Sequence, residues 1–479
     1  MTAASVLVVT ACSVDIPDRL DNSSDDGVGD GGDTFLTEGT KTGISGLKAV
    51  RNPDNHLSCY VEWSTDVPSF STVEFGEEGY QFRIHQGEAV TEHKVLVIGM
   101  HEETEYRIRV VSETKGGVKS AETTFTTGTL PDVVPRPELG AHDPGAAEVG
   151  WTLLNVSDIF ASPAPPMVAV MYDFEGLPVW YHINGDTPDN HGDTPVNLLE
   201  DDTLTIGATA GVLPPREIDL AGNVLWEGPP QAMRSSLTHH FEKLPDGNYV
   251  ALKEIYQSNA RGDMVEMFRP DHSVIWSWNT FDYVDWAPVT PGDWSHCNSV
   301  TVDLDESVFY LSCRNFSNVL KVSLEGDMEI IWRLGKGGDF AADPASDMPW
   351  FEEQHEPELQ PNGNFLIYDN GTLERGASRV VEYAIDKEAA TSTIVWEFPG
   401  DFDVDPWYRT EWFTNHWGDA DRLPNDNTLV TAGNIPQIDA PSRIFEVTPD
   451  GGVVWEIVFP NSGVYRAERL SPPPLIEPI

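Results

Sequence analysis

LPDGNYVAL, residues 244–252, reads as a strand, a tight turn and a second strand. Apolar residues flank a Pro-Asp-Gly-Asn turn whose residues pre-set the backbone for reversal. The construction returns as LQPNGNFLIYD at 359–369 and as LPNDNTLVTA at 423–432. A second element alternates with it, a short β-branched run ending in tryptophan. It occurs as GLPVW, GNVLW, HSVIW, MEIIW, STIVW and GVVW, ending at Trp180, Trp226, Trp276, Trp332, Trp396 and Trp455. The intervals are 46, 50, 56, 64 and 59 residues. Roughly four strands per unit, with no helical periodicity, predict a β-propeller. Six tryptophans predict six blades over 140–479, and GVYRAERL near the end is expected to be the strand that closes the ring. Longer intervals in the later units mean longer loops, which are where sites are usually built.

The chain before this repeat has a different texture. Residues 1–12 end in Val9-Thr10-Ala11-Cys12, small residues before a cysteine as in a bacterial lipoprotein signal. Lipidation of Cys12 is expected, placing the protein in the periplasm or on the cell surface, with the membrane reached only through that anchor. Residues 13–41 are Asp, Gly and Ser with little to bury, an acidic flexible linker. From 42 to 130, short alternating strands broken by Gly, Asp and Pro predict a β-sandwich. Trp63 and Tyr106 resemble the core tryptophan and the tyrosine-corner position of fibronectin type III modules. Cys59, four residues before Trp63, points inward beside it as a lone thiol. The fold class expected is therefore all-β, a fibronectin type III-like sandwich followed by a six-bladed propeller.

The chain carries 78 acidic and 29 basic side chains, a formal net charge of −49. Such a surface repels polyanions, so no nucleic-acid partner is expected.

Histidines stand just before the signature strands: His239-His240, His296, His355 and His416. In a propeller the innermost strand of each blade lines the channel, so these positions converge on one mouth. Clustered imidazoles suit either a transition metal or acid–base and nucleophilic work. No local HxH or HxxxH pair offers two ligands, and carboxylates such as Glu356 and Asp419 would have to complete a metal shell. Catalysis on an anion is the expectation, with no metal and no cofactor.

DWSHCNSVTVDLDESVFYLSCRNF, residues 293–316, sharpens this. A hairpin turn centred on Asp305 pairs His296 with Arg314, Cys297 with Cys313 and Asn298 with Ser312. Alternation then puts His296, Asn298 and Arg314 on one face and sets the two cysteines opposite each other for a disulfide on the reverse face. A guanidinium beside an imidazole keeps the ring neutral and offers a planar fork to anionic oxygens. The competing expectation is that Arg314 pairs with a nearby carboxylate.

These residues resemble the bacterial arylsulfotransferases that do not use phosphoadenosine phosphosulfate. The resemblance covers roughly 140–470. It rests on a His-x-Asn with an arginine eighteen positions after the histidine (His296, Asn298, Arg314), on a histidine pair before LPxGN (His239, His240), and on Gln354-His355 with the turn Asp369-Asn370-Gly371. It implies an exported propeller that moves a sulfuryl group between phenols, with His355 as the nucleophile carrying it transiently. His296, Arg314 and either His239 or His240 would hold the sulfuryl oxygens, and Asn298 would donate a hydrogen bond. Thr414 and His416 match the family's last oxygen-binding position. Trp294 and Trp412 are the leading candidates to grip the phenols, among nearby Trp350, Trp407, Tyr408 and Trp417, although packing would explain such tryptophans too. Phenols and aryl sulfates are the partners implied, and a homodimer is left open. The alternatives are a non-catalytic surface propeller binding glycans or proteins, and a metal- or quinone-dependent oxidoreductase.

Overall fold

The computed structural model describes residues 43–479 except 115, 158–165, 186–193, 208–212, 230–236, 400–411 and 436–441. The leader with Cys12, the acidic linker, Trp407 and Tyr408 lie outside the described residues. What is described is nearly all β, with one four-residue α-helix at Thr280–Tyr283 and one 3-10 turn at Arg314–Phe316.

Six sheets account for the repeat, each built on four antiparallel strands, the first of them taking Gly463–Leu470 as one of its four; Gly292–Asp293 adds to the third sheet and Glu138–His142 to the last. Each recurrent tryptophan lies on the fourth strand of its sheet, the edge strand in all but the last, where Glu138–His142 pairs beyond it. There the indoles act as couplers. Trp180 donates from Nε1 to the carbonyl of Leu220 at 2.7 Å, Trp226 to Pro270 at 2.8 Å, and Trp396 to Pro449 at 2.9 Å. In every case the acceptor sits at or beside the last turn of the following sheet. Trp278, two residues beyond the predicted Trp276, does this for the third sheet by donating to Met328 at 3.2 Å. Trp455 of the last sheet reaches back to Phe174 of the first at 2.8 Å. An indole supplies apolar bulk and one donor, which suits a joint between sheets. The strand Gly463–Leu470 pairs with Trp151–Ser157 and so brings the end of the repeat into the first sheet.

The N-terminal strands form one hydrogen-bonded sheet rather than two separate ones. The long strand Cys59–Gly76 explains this, pairing with Ile44–Arg51 through its first part and with Glu105–Thr114 through its second. Trp63 stacks on His93 inside it, and Tyr106 accepts from the backbone N–H of His101 while donating to Glu77. Cys59 is a fully buried free thiol, pushed up to about 12 by burial. Its core runs on without a break into Leu153, Met171, Trp180 and Leu204 of the first two repeated sheets. Glu477–Pro478 leave the repeat and pair with Phe82 and Arg83, so the end of the chain belongs to the N-terminal sheet.

Candidate active site

The innermost strands begin irregularly, and the irregularity repeats. Register shifts fall between Leu237 and Phe241, between Cys297 and Ser299, and between His355 and Glu358. At the same places His239, His296 and Glu356 have φ of +59°, +47° and +36°, and Trp417 follows with +64°. Left-handed backbone is unfavourable for residues with a Cβ, and bulges re-aim side chains. Three sheets thus spend the same distortion at the same point, turning the histidines into one region.

The 293–316 hairpin shows the effect. Cys297 faces Cys313 and the two are joined by a disulfide, but Ser312 faces Ser299, because Asn298 is the extra residue of the bulge. The turn spans four residues, 304–307, instead of centring on Asp305. Arg314 opens the 3-10 turn and donates its backbone N–H to the carbonyl of His296 at 2.9 Å. Asp263, buried, anchors the bulge by accepting from Ser295 Oγ at 2.6 Å and from the Cys297 N–H at 2.8 Å.

His355 is 1% exposed. Its Nδ1 lies 2.8 Å from Oδ1 of Asn370, whose Nδ2 donates to the carbonyls of Thr414 at 2.9 Å and Trp417 at 2.8 Å. With the amide nitrogen committed to two carbonyls, Oδ1 must accept, so His355 Nδ1 carries the proton. Nε2 is then a bare lone pair, and it has no partner. Burial, followed by the charges of Arg314, His296 and His239, holds His355 well below the usual imidazole range. The preceding residue, Gln354, anchors the strand by donating to Ser312 Oγ and to the carbonyls of Cys313 and Asn318.

The His239 ring packs against that of His296, centroids 4.8 Å apart. His240 points elsewhere, its Nε2 3.4 Å from a Glu242 oxygen. Of the neighbouring pair, His239 is the one that joins His296 and bears on His355. His296 is held through Nδ1 by Asp293, and Arg261 grips the same carboxylate. Burial would raise Asp293, but His296 and Arg261 hold it below the carboxylate range. Sequence reasoning missed this support; the DxxH spacing of Asp293 and His296 was the available signal.

Arg314 meets the competing expectation. It pairs with Glu353 and donates to the carbonyl of Asn415 at 2.8 Å, while its Nε stays buried without a partner. His416 is half-buried beside it, and burial with the charges of Arg314 and His296 lowers its proton affinity.

Four expectations need correction. Asn298 gives an amide N–H to the carbonyl of Gln354 at 2.7 Å, so it positions the residue before His355, and its Oδ1 is left without a partner. Thr414 is fully buried, with its hydroxyl turned to the carbonyls of His416 and Gly433. Trp294 lies flat against Phe281 in the core, centroids 5.1 Å apart. Trp412, 0% exposed, is wedged among Tyr368, Phe398 and Phe445. Packing needs explain both indoles.

Tyr465 and Arg466 on the closing strand were also missed. The Tyr465 hydroxyl donates towards the His239 carbonyl at 3.2 Å, and Arg466 Nη2 donates to that of Asn298 at 2.9 Å. Both therefore brace bulge residues of other sheets. They lie more than 160 positions away in sequence, which no local motif reports.

A buried imidazole with one bare nitrogen, two further imidazoles and a guanidinium suit nucleophilic attack on an electrophile bearing anionic oxygens. The family model described as arylsulfotransferase (ASST) matches residues 159–466. No curated protein matches the chain. Among solved structures, the periplasmic gluconolactonase of Pseudomonas aeruginosa is 14% identical, with 84% of this chain and 98% of that one covered at a TM-score of 0.38. A quinonprotein alcohol dehydrogenase-like protein from Bacteroides thetaiotaomicron is 12% identical, with 86% and 94% covered at a TM-score of 0.29.

Proposed function

Because the chain belongs to the arylsulfotransferase family, we propose that it moves a sulfuryl group from an aryl sulfate to a phenol by way of His355. The observation that carries this reading is the fixed tautomer of His355, with Nδ1–H bound to Asn370 and Nε2 bare. Nε2 attacks sulfur in line, the S–Nε2 bond forms as the sulfur–aryl oxygen bond breaks, and the aryl oxygen leaves as a phenol. Arg314 Nε, His296 and His239 stabilise the sulfuryl oxygens. His296, held by Asp293, supplies a proton to the leaving oxygen and takes one from the acceptor phenol in the reverse step.

The same reading takes the six sheets as a closed six-bladed propeller, supported by the run of indole donors that returns from Trp455 to Phe174. It takes the N-terminal sheet as a fibronectin type III-like module, supported by Trp63 and by the bond from Tyr106 back to His101. Export and lipidation at Cys12 complete it, with a homodimer left open.

The test is incubation with 4-nitrophenyl sulfate, with and without a phenol and with no added cofactor. Nitrophenolate release that depends on the phenol, and a peptide containing His355 heavier by one SO3 group when the acceptor is withheld, are expected. A His355→Ala variant that still releases nitrophenolate would overturn the assignment.

A further inference from the structure

The strands His355–Leu359, Asp419–Arg422 and Gly463–Leu470 carry a second cluster that the transfer reaction does not use. These strands bear Glu356 and Glu358, Asp419 and Asp421, and Arg466 and Glu468. One carboxylate oxygen from each of Asp419, Asp421 and Glu468 lies within 4.8 Å of the other two. The charges do not balance. Arg466 is committed to Glu356 and to the Asn298 carbonyl.

Independent signs of a missing partner accompany the cluster. Asp419 is 1% exposed; its Oδ1 accepts from the Ala420 N–H at 3.0 Å, yet Oδ2 has no partner. Thr431 faces Asp419 directly across the strand pair and so shares its side of the sheet. Its hydroxyl is fully buried and likewise has no partner. Hard oxygens facing one another around excess negative charge call for a cation.

We propose that Asp419, Asp421 and Glu468 bind a hard divalent cation, for which calcium fits best. Calcium accepts a flexible shell of protein carboxylate oxygens, whereas magnesium gives up its waters reluctantly and is seldom held by an all-protein cage. The ion joins Asp419–Arg422 of the last sheet to Gly463–Leu470, the strand that enters the first. It thereby ties the seam where the two ends of the repeat meet.

The test uses the full-length protein and does not depend on sulfuryl transfer. Elemental analysis of protein purified without chelator should find about one calcium per chain. Treatment with EDTA should lower Tm by several degrees, and calcium should restore it at lower concentration than magnesium. Asp421→Asn should raise the calcium midpoint at least tenfold while keeping Tm in EDTA equal to or above that of the parent, because it removes an unbalanced charge. Wild-type protein that holds no divalent ion and whose Tm ignores both EDTA and calcium would overturn the proposal and show that protons neutralise the cluster.

Discussion

Nδ1 of His355 sits 2.8 Å from Oδ1 of Asn370, and this contact decides which imidazole nitrogen is free. The amide cannot rotate, because its nitrogen is bound to the carbonyls of Thr414 and Trp417. Asn370→Ala is therefore expected to lower kcat by about 10- to 100-fold, within the span of positioned acid–base groups, with KM changing less. Steady-state kinetics on an aryl sulfate would check this, and an unchanged kcat would separate the tautomer from the reaction.

Asp293 is expected to act through His296. Asp293→Asn should depress kcat about 10- to 100-fold and displace the pH profile. The loss should shrink for donors whose phenols leave without needing a proton. An equal loss for all donors would instead indicate a structural role for Asp293.

The lowered proton affinity of His355 makes a signed prediction about pH. Below about pH 6.5 the unfolded chain protonates this imidazole while the native state does not, so the unfolded state binds more protons. Stability should fall as pH drops from about 6.5 towards the depressed native value, by at most about 1.4 kcal/mol per pH unit from this group. His355→Gln should remove that part of the slope in denaturation series across the window. Activity should persist on the acid side of an ordinary histidine titration.

The Cys297–Cys313 disulfide lies directly behind the bulge that aims His296. Reduction should destabilise the protein by about 2–4 kcal/mol, the usual range for a bridge closing a short loop, and should weaken catalysis. Thiol titration under denaturation should find both cysteines unreactive until reductant is added; free thiols there would remove the staple.

A formal charge of −49 opposes an anionic donor at long range, while the cationic groups at the site act at short range. Salt screens the former more than the latter. Donor KM is therefore expected to fall as ionic strength rises, and a steep increase would contradict this account of the approach.

Strand count and repeat were legible in the residues because period-two alternation, turn chemistry and a recurring indole are local signals. His239, His296 and His355 stood out for the same reason, each preceding a recognisable strand. Asn298 and Thr414 were misjudged because a bulge and a buried loop decide where those side chains point. Both depend on partners elsewhere in the chain, Gln354 for one and Gly433 for the other. Trp294 and Trp412 were misjudged because an aromatic near a site is indistinguishable in sequence from an aromatic filling a core.

By itself the sequence determined the all-β class, the sixfold repeat, the pairing of Cys297 with Cys313 and the histidines at the strand entries, since each follows from neighbours along the chain. Only the tertiary structure decided that His239 rather than His240 meets His296, that Arg314 is shared with Glu353, and that Asn370 sets the tautomer of His355. It also gathered Asp419, Asp421 and Glu468 into one cluster. Apart from the His355–Asn370 contact, which lies within one sheet, these contacts join separate sheets, settled by the backbone torsion at each strand entry and by which strand pairs with the first sheet, and neither is written in local pattern.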